Sequence, residues 1–393
     1  MKRITELEKK LVLDAIENEF STSRNNIYNS QLEQAFAEKF GTKYAIGMVN
    51  GTATLHTALA ALGVGAGDEV IVPPLTMSST AISVLQAGGI PVFADVDPDT
   101  FTLSPAAVEA CVTRNTKAIM SVSLYGLAPD YEGLLRVQKR CNLPLIEDNA
   151  QCFLGEFRGN LVGRQGKFAS YSFQASKHLT AGEGGMLITD DEDLANAARR
   201  FSSLGYAGVS AKQGKITRND IQDPNYSRHI SLGFNYRMSE INAALILGQL
   251  RRAEELVNQR IQVAGLFDEA LVGQSLLRRQ FVPTEYKNTY WAYSLVLDTP
   301  APTSDWYRFR DAFQGNGGDG FYAAWKLSYM EPLFQERVQG ATGVWQRFGP
   351  NLCPNAEYLQ PRIIQLKTNY WDLDDAARQA RILRKTIQTF QTS

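Results

Sequence analysis

Between residues 44 and 147 the sequence alternates short apolar runs with segments of about ten residues that carry apolar side chains at helical spacing. The runs are typical of strands and the segments of helices. This alternation predicts βαβ units, and therefore an α/β fold whose mostly parallel sheet is covered by helices on both faces. In chain order the predicted elements are Tyr44–Val49, Thr54–Leu62, Glu69–Val72, Ser78–Ala87, Pro91–Asp95, Ser104–Cys111, Ala118–Ser123, Tyr131–Cys141 and Leu143–Glu147.

Composition narrows the class of protein. The 393 residues suffice for two domains, and 44% hydrophobic residues support a well-filled core. Forty basic residues balance forty-one acidic ones, so no nucleic-acid or anionic-membrane surface is expected. No apolar run approaches the roughly 20 residues that cross a bilayer, and the N-terminus is charged where a signal peptide is apolar. We therefore expect a cytoplasmic protein with no membrane partner.

The cysteines and histidines are few and scattered along the chain. They are Cys111, Cys141, Cys152, Cys353, His56, His178 and His229. Scattered cysteines in a large chain fit reduced thiols better than a disulfide framework. The histidines show no ligand spacing, so neither a metal site nor a Ser-His-Asp triad is expected.

Ligands of such sheets bind beyond the carboxyl ends of the strands, so two strand-to-helix turns are of interest. The turn 50–53 (Asn-Gly-Thr-Ala) offers a small backbone, a hydroxyl and free N–H groups, which together favour a phosphate. The turn 147–151 places Asp148 at the end of an apolar strand, where it could pair with a fixed cation such as a pyridinium nitrogen. Alternatively, Thr52 and Asp148 are ordinary helix N-caps.

A third turn carries a lysine. Lys177 lies between the predicted strands Phe168–Phe173 and Met186–Thr189. Burial there would lower the pKa of the amine and allow it to form a Schiff base with an aldehyde, while Gly182, Gly184 and Gly185 leave room for a flat ligand. The alternative is a surface lysine on a glycine-rich hairpin. A phosphate cup, a buried carboxylate and such a lysine at one sheet edge together favour pyridoxal 5′-phosphate.

These segments resemble the sugar aminotransferases of the DegT/DnrJ/EryC1/StrS family, fold type I of the pyridoxal-phosphate enzymes. The resemblance extends over most of the chain and includes 50–53, 67–73, 147–151, Ser172 to Gly185, and 233–244. It implies a large domain with a mostly parallel sheet of seven-stranded type, with a smaller C-terminal α/β domain. We place the large domain, with its N-terminal helices, at 1–255 and the small domain at 256–393.

The resemblance also implies roles for individual residues. Lys177 would carry the cofactor and act in catalysis with Asp148, which would pair with the pyridine nitrogen, and Gln151 would lie beside the ring. Thr52, the Ala53 backbone N–H and Ser172 would bind the phosphate. Asn235 would reach the phosphate of a neighbouring subunit, and the loop Gly205–Ile230 would cross to that subunit. Met77 would replace a stacking aromatic residue and still pack on the ring.

The implied activity is transfer of an amino group from glutamate or glutamine to a keto sugar, most often a nucleotide-linked keto-deoxysugar, by a homodimer with shared sites. Some relatives have histidine in place of the lysine and are dehydratases, but Lys177 is present here, and its neighbour His178 is interpreted as structural. The alternatives are amination of a free keto sugar acid or a cyclitol ketone, another pyridoxal-phosphate reaction, or a regulator that keeps the fold without turnover.

Other elements are predicted from periodicity alone. They are N-terminal helices at 4–19 and Gln31–Lys39, the second capped by Ser30, a long helix Ile241–Leu266, a strand Tyr290–Leu297 and a last helix Asp374–Phe390. The aromatic segment 321–326 could face a sugar ring, but we favour a core role because aromatic clusters usually pack.

Overall fold

The computed structural model describes residues 1–18, 27–214, 216–338 and 348–391. In chain order the strands are β1 Tyr44–Met48, β2 Glu69–Val72, β3 Ile90–Phe93, β4 Thr116–Val122, β5 Leu145–Asp148, β6 Glu156–Phe157, β7 Asn160–Leu161, β8 Phe168–Ser172, β9 Gly185–Thr189, β10 Leu277–Arg279, β11 Tyr286–Lys287, β12 Ala292–Leu297, β13 Tyr322–Ala323 and β14 Ile363–Lys367. The α-helices are α1 Glu6–Glu17, α2 Ile27–Phe40, α3 Gly51–Ala61, α4 Ser79–Gln86, α5 Pro105–Cys111, α6 Tyr131–Cys141, α7 Glu192–Phe201, α8 Arg218–Gln222, α9 Glu240–Leu250, α10 Ala253–Ala270, α11 Pro302–Gly315, α12 Pro354–Leu359 and α13 Leu373–Gln391.

Seven strands form the main sheet in the order β1-β9-β8-β5-β4-β2-β3. Pairing is parallel from β8 through β3, and β9 runs antiparallel to both of its neighbours. Alternate residues of one strand enter different cores: Val70 and Val72 belong to one buried cluster and Ile71 to another. Both faces of the sheet are therefore covered, and the predicted mostly parallel α/β fold is confirmed.

A second, antiparallel sheet has the order β10-β12-β14-β13 and packs with α10, α11 and α13 around Phe267, Phe309 and Leu383. A small third sheet joins β11 to β6 and β7. Helix α10 spans the predicted boundary at 255/256, and its first residues pack in a different cluster from its later ones. The smaller C-terminal α/β unit is present, and its division at that residue remains a prediction.

Two predictions about helices were wrong for reasons that lie far away in sequence. The predicted long helix Ile241–Leu266 is two helices: Arg252, at the break, leaves the helical conformation, and its side chain donates to the Glu8 carboxylate at 3.0 Å. Ser30 is not a cap, since α2 already begins at Ile27; instead, the Glu240 carboxylate accepts the Tyr28 backbone N–H at 2.8 Å. The end of the predicted helix at 4–19 and the polar break before α2 lie partly outside the described residues.

The structure also describes the cysteines, the candidate metal ligands and the apolar helices. All four cysteines are free thiols. Among the residues described, no cluster of His, Cys, Asp and Glu side chains could hold a metal ion, and no helix is long and apolar enough to span a bilayer.

Candidate active site

One cavity of about 1010 Å³ opens at the carboxyl ends of the parallel strands of the main sheet. Six of the eight predicted site residues line it: Thr52, Met77, Asp148, Gln151, Ser172 and Lys177. Strands β5 and β8 are adjacent, and Asp148 pairs with Ser170 in their register. The sheet topology thus brings together side chains that are distant in sequence.

The other two predicted residues are placed differently. The Ala53 backbone N–H is already bonded to the Asn50 side-chain oxygen at 2.8 Å, so it is Asn50, not Thr52, that caps α3. Asn235 is exposed and does not line the cavity of its own chain; it forms an isolated antiparallel bridge with Ser203. Its predicted role requires a second subunit.

Lys177 lies in a short turn after β8, and its amine lies 4.7 Å from the centroid of the Trp291 ring. Burial lowers the pKa of the Lys177 amine to about 8, and the negative charge of Asp148 partly opposes this shift. At pH 7 about a tenth of the amine is therefore unprotonated, far more than for an ordinary lysine, and the free amine is the nucleophilic form. His178, the next residue, is buried with its Nε2 2.9 Å from the Thr289 carbonyl oxygen, in agreement with a structural role.

Asp148 is the last residue of β5 and is 4% exposed. Its carboxylate accepts the Thr80 hydroxyl at 3.0 Å and the Ala150 backbone N–H at 3.1 Å. Burial raises the pKa of Asp148, while these two hydrogen bonds and Lys177 act in the opposite direction. A further positive charge in the cavity, such as a protonated ring nitrogen, would stabilise the ionised carboxylate.

The neighbouring acid, Glu147, points away from the cavity. It is fully buried, and its carboxylate accepts the backbone N–H groups of Gly163, Gln165 and Gly166, each at 2.7 Å. Alternation of side chains along a strand explains why adjacent carboxylates have different surroundings. Glu147 fixes the loop before β8, and Asp148 faces the site.

The first turn of α3 lies against the end of β8, where the phosphate cup is predicted. A Cβ on Gly51 would lie 2.9 Å from the Ser172 Cβ, so only glycine permits this approach. The first N–H groups of a helix have no partner within it and favour an anion. Hydroxyl groups from Thr52 and Ser172 line the same part of the cavity.

Gln151 is buried and its side-chain oxygen accepts the Tyr125 backbone N–H at 2.9 Å. Tyr125 has a φ of 60°, an unusual conformation for a residue with a side chain. Its phenol oxygen is buried without a partner among the described residues. Such strain is common at functional sites, and Gln151 holds this backbone in place.

Aromatic side chains form one wall of the cavity. Trp291 and Trp325 line it with ring centroids 5.7 Å apart and planes 19° apart, and Tyr322, also in the lining, is 63% exposed. The core interpretation of 321–326 was therefore wrong for Tyr322, holds for the buried Phe321 and Ala324, and holds in part for Trp325, which packs against the core and also lines the cavity. Sequence reasoning cannot separate an aromatic residue that lines a cavity from one that packs in a core.

A mostly parallel sheet with a half-buried lysine and a buried carboxylate in one cavity at its edge is typical of the pyridoxal-phosphate enzymes of fold type I. The model of the DegT/DnrJ/EryC1/StrS aminotransferase family matches residues 2–378. The chain belongs to this family, and it is an aminotransferase with pyridoxal 5′-phosphate as its cofactor.

Two curated relatives and one solved structure illustrate the similarity. The chain is 38% identical to the GDP-perosamine synthase of Caulobacter vibrioides over 292 residues, and the aligned region covers 74% of each of the two chains. It is 34% identical over 296 residues to the GDP-perosamine synthase of Escherichia coli O157:H7, covering 75% of this chain and 76% of the relative. The aminotransferase from Psychrobacter cryohalolentis superposes with a TM-score of 0.84 at 27% identity, covering 99% of this chain and 98% of that one.

The residues of this cavity fit the cofactor. The close approach of Gly51 to Ser172 forms an anion cradle that a larger residue would fill. The buried carboxylate of Asp148 suits a cationic ring nitrogen, and Lys177 provides an amine of lowered pKa across the same cavity. Sequence reasoning missed Arg260, Thr80 and Trp291, which line the cavity or bond to Asp148. Only Arg260 could have been found from the sequence, because it occupies a core position of α10 between Leu256 and Ala264.

Proposed function

We propose that the protein transfers an amino group from glutamate or glutamine to the ketone of a nucleotide-linked keto-deoxysugar. Both curated relatives are named GDP-perosamine synthase, so a GDP-linked keto sugar is the first acceptor to test. The observation that carries the proposal is the aromatic wall beside Lys177, since aromatic faces pack well against sugar rings.

The size and lining of the cavity support an acceptor of this kind. Its volume of about 1010 Å³ lies at the upper end of the roughly 300–1,000 Å³ range typical of ligand pockets. Beyond Trp291 and Trp325, its lining includes the polar side chains of Gln365, Lys367 and Asn369. These groups offer hydrogen bonds and a positive charge to hydroxyl and phosphate groups that lie away from the reacting carbon.

Pyridoxal 5′-phosphate, when bound, supplies an aldehyde and an electron-withdrawing ring. Within this chain, Lys177 would hold the cofactor covalently and then, once released, move a proton as the general base. Asp148 would keep the ring nitrogen protonated, while Thr52, Ser172 and the start of α3 bind the phosphate. Met77, which is 49% exposed in the cavity lining, would pack against the ring, and Gln151 would lie beside it.

A homodimer with shared sites is part of the proposal. Ile230, Leu232 and Phe234 are 55%, 81% and 39% exposed, and they lie directly before Asn235. Contiguous exposed apolar residues mark interaction surfaces. A partner that covers them would meet Asn235, which would then reach the phosphate in the partner's cavity, and the segment Gly205–Ile230 would cross between subunits.

The test separates the two half-reactions. The cofactor-loaded enzyme is mixed with glutamate or glutamine, and the absorbance of the bound cofactor should change as the amino group is deposited. A panel of GDP-linked, other nucleotide-linked, free acidic and cyclitol ketones is then added, and the GDP-linked keto sugar should restore the first spectrum fastest. A cofactor that responds to neither donor, or a panel in which free ketones react as fast, would overturn the proposal.

A further inference from the structure

Two arginines converge on the turn that carries Lys177. Arg260 of α10 donates from Nη2 to the carbonyl oxygens of Ser176 at 2.9 Å and Lys177 at 3.1 Å. Arg3, from the segment before α1, donates to the carbonyl oxygen of Ala175 at 2.7 Å and also to that of Lys177. Three successive carbonyl groups of the turn are thus held by two guanidinium groups.

The bonding of Arg260 excludes a role in binding substrate anions through its fork. Its Nη1 donates to the Trp291 carbonyl at 2.9 Å and to the Thr368 hydroxyl at 3.0 Å, which with the two bonds from Nη2 occupies all four Nη hydrogens. Only its Nε lacks a partner among the described residues. The side chain is 1% exposed, so the guanidinium is a fixed internal link between the lysine turn, Trp291 and Thr368.

The charge of Arg260 is not balanced by an ion pair. Within the described ranges, no carboxylate lies within salt-bridge distance of it. A buried guanidinium without a counter-ion costs free energy, because desolvation disfavours the charged form. Burial lowers the pKa of Arg260 to about 9, and the charge of Arg3 adds to the shift. A neutral side chain could also donate hydrogen bonds to these carbonyl groups, so the presence of the charged Arg260 side chain indicates that its charge has a function.

We propose that Arg260 is a positioning residue that, together with Arg3, holds the Lys177 turn through its carbonyl oxygens and fixes a guanidinium charge 3.1 Å from the Lys177 carbonyl oxygen. The inference rests on the proposed role of Lys177 in carrying the cofactor. Arg260 itself touches neither the amine nor a substrate, and it acts through the backbone and the electric field.

The other charges that face Lys177 have defined directions. Asp148 on β5 and Glu183 in the glycine turn raise the pKa of Lys177, and Arg260 lowers it, while burial remains the largest cause. Burial lowers the pKa of His178, and the charges of Arg260 and Arg3 add to this shift, so the imidazole is neutral. Without Arg260, burial alone would oppose the two acids, and Lys177 would hold its proton to a higher pH.

The experiment measures Lys177 directly and needs no turnover. The full-length protein, with its cofactor removed, is acetylated briefly with acetic anhydride across a pH series, and modification of Lys177 is quantified by mass spectrometry. The midpoint of the curve of Lys177 acetylation against pH should lie near pH 8 in the parent protein. In Arg260→Gln it should rise by about one pH unit.

Arg252→Gln is the matched control. Arg252 lies at the start of the same helix but pairs with Glu8 and Glu255, and it is not among the charges that act on Lys177. Its removal should lower the melting temperature without moving the midpoint. The inference is wrong if the acetylation midpoint of Arg260→Gln equals that of the parent. It is also wrong if the midpoint of Arg252→Gln rises as its melting temperature falls.

Arg3→Gln keeps the test open should Arg260→Gln fail to fold. Loss of Arg3 should leave the Lys177 midpoint nearly unchanged but speed hydrogen exchange at the Lys177 amide, which is bonded to the Gln174 carbonyl within the turn. Unchanged exchange there would exclude the shared hold on the turn. These readouts do not depend on cofactor attachment, so they are distinguishable from failure of the proposed function, which would appear as cofactor bound normally to Lys177→Ala.

Discussion

Trp291 and Lys177 are joined from two sides: the Lys177 amine lies 4.7 Å from the centroid of the Trp291 ring, and the Trp291 indole N–H donates to the carbonyl of Ser176, the preceding residue, at 3.1 Å. The ring therefore shields the amine from water on one side, and the turn in return fixes the ring. An aromatic face favours a nearby cation, so Trp291 opposes the burial that lowers the pKa of the amine. The same indole forms part of the wall proposed to meet the sugar.

Lys177→Ala should abolish covalent attachment of the cofactor. The purified variant should lose the yellow colour, and borohydride should no longer fix a pyridoxyl group on the peptide around residue 177. Loss of the general base should lower kcat by a factor of about 10²–10⁴ or more. Lys326→Ala, which removes an exposed lysine near the cavity, is the control and should keep both colour and label. Labelling that persists in Lys177→Ala would refute the assignment.

Asp148→Asn should reduce activity and shift the Lys177 pKa downward from about 8, because Asp148 is the largest influence that raises it. Above that pKa the amine is already neutral, so the change in acetylation should appear at lower pH, where the variant should react faster. Thr80→Val removes only a 3.0 Å hydrogen bond to the carboxylate and should have a smaller effect in the same assays. Equal acetylation profiles for Asp148→Asn and the parent would contradict the charge interaction.

Gly51→Ala should weaken cofactor binding and destabilise the fold, since its Cβ would lie 2.9 Å from the Ser172 Cβ. Overpacking of this kind costs about 1–3 kcal/mol. Denaturant unfolding and cofactor titration are the measurements. Gly65→Ala is the matched control, because no atom lies within 4 Å of its added Cβ. Similar losses in the two variants would show that the contact with Ser172 is not the cause.

Leu232→Glu should disrupt the proposed homodimer, because it places a charge on a side chain that is 81% exposed in the single chain. Sedimentation velocity should show a shift from dimer to monomer. Val272→Glu alters a side chain that is 70% exposed elsewhere and should leave the assembly intact. A Leu232→Glu protein that sediments like the parent would place the interface elsewhere.

Mixing inactive Lys177→Ala and Asn235→Ala subunits tests whether sites are shared. If Asn235 serves the neighbouring cavity, each mixed dimer has one site with both residues intact, and some activity should return. The parent mixed with Lys177→Ala provides the reference for exchange. Absence of recovery in mixed dimers confirmed by mass would count against sharing.

Trp325→Ala should raise KM for the sugar acceptor and leave the donor half-reaction nearly unchanged, because Trp325 lines the cavity next to Trp291. The substitution removes the stacking of a sugar or base on the Trp325 ring and leaves Lys177 unchanged. Tyr307→Ala, on an exposed face of α11, is the control. An equal effect on both half-reactions would place Trp325 in general support of the site.

Local patterns were enough for the strands, the crossover helices and the lysine turn. Strand β2 and helix α6 have the predicted bounds, because their apolar spacing and flanking turns are decided within a few residues. The break at Arg252 was not predicted, since the residue that Arg252 contacts there, Glu8, is far away in sequence. Arg260 and Trp291 likewise contact the lysine turn from parts of the chain that are far away in sequence. Trp325 is an aromatic residue of the kind that also packs in cores, so its residue type did not predict a place in the cavity wall.

The opposed surroundings of Glu147 and Asp148 have a consequence for how this activity is encoded. In the parallel pairing with β4, Glu147 stands opposite Ser121 and Asp148 opposite Val122. A slip of one residue would exchange the two acids, sending the longer one into the cavity and leaving the loop before β8 without its anchor. The activity of the chain thus depends on the register of a four-residue strand, and mutations that shift this register should be as damaging as loss of Asp148 itself.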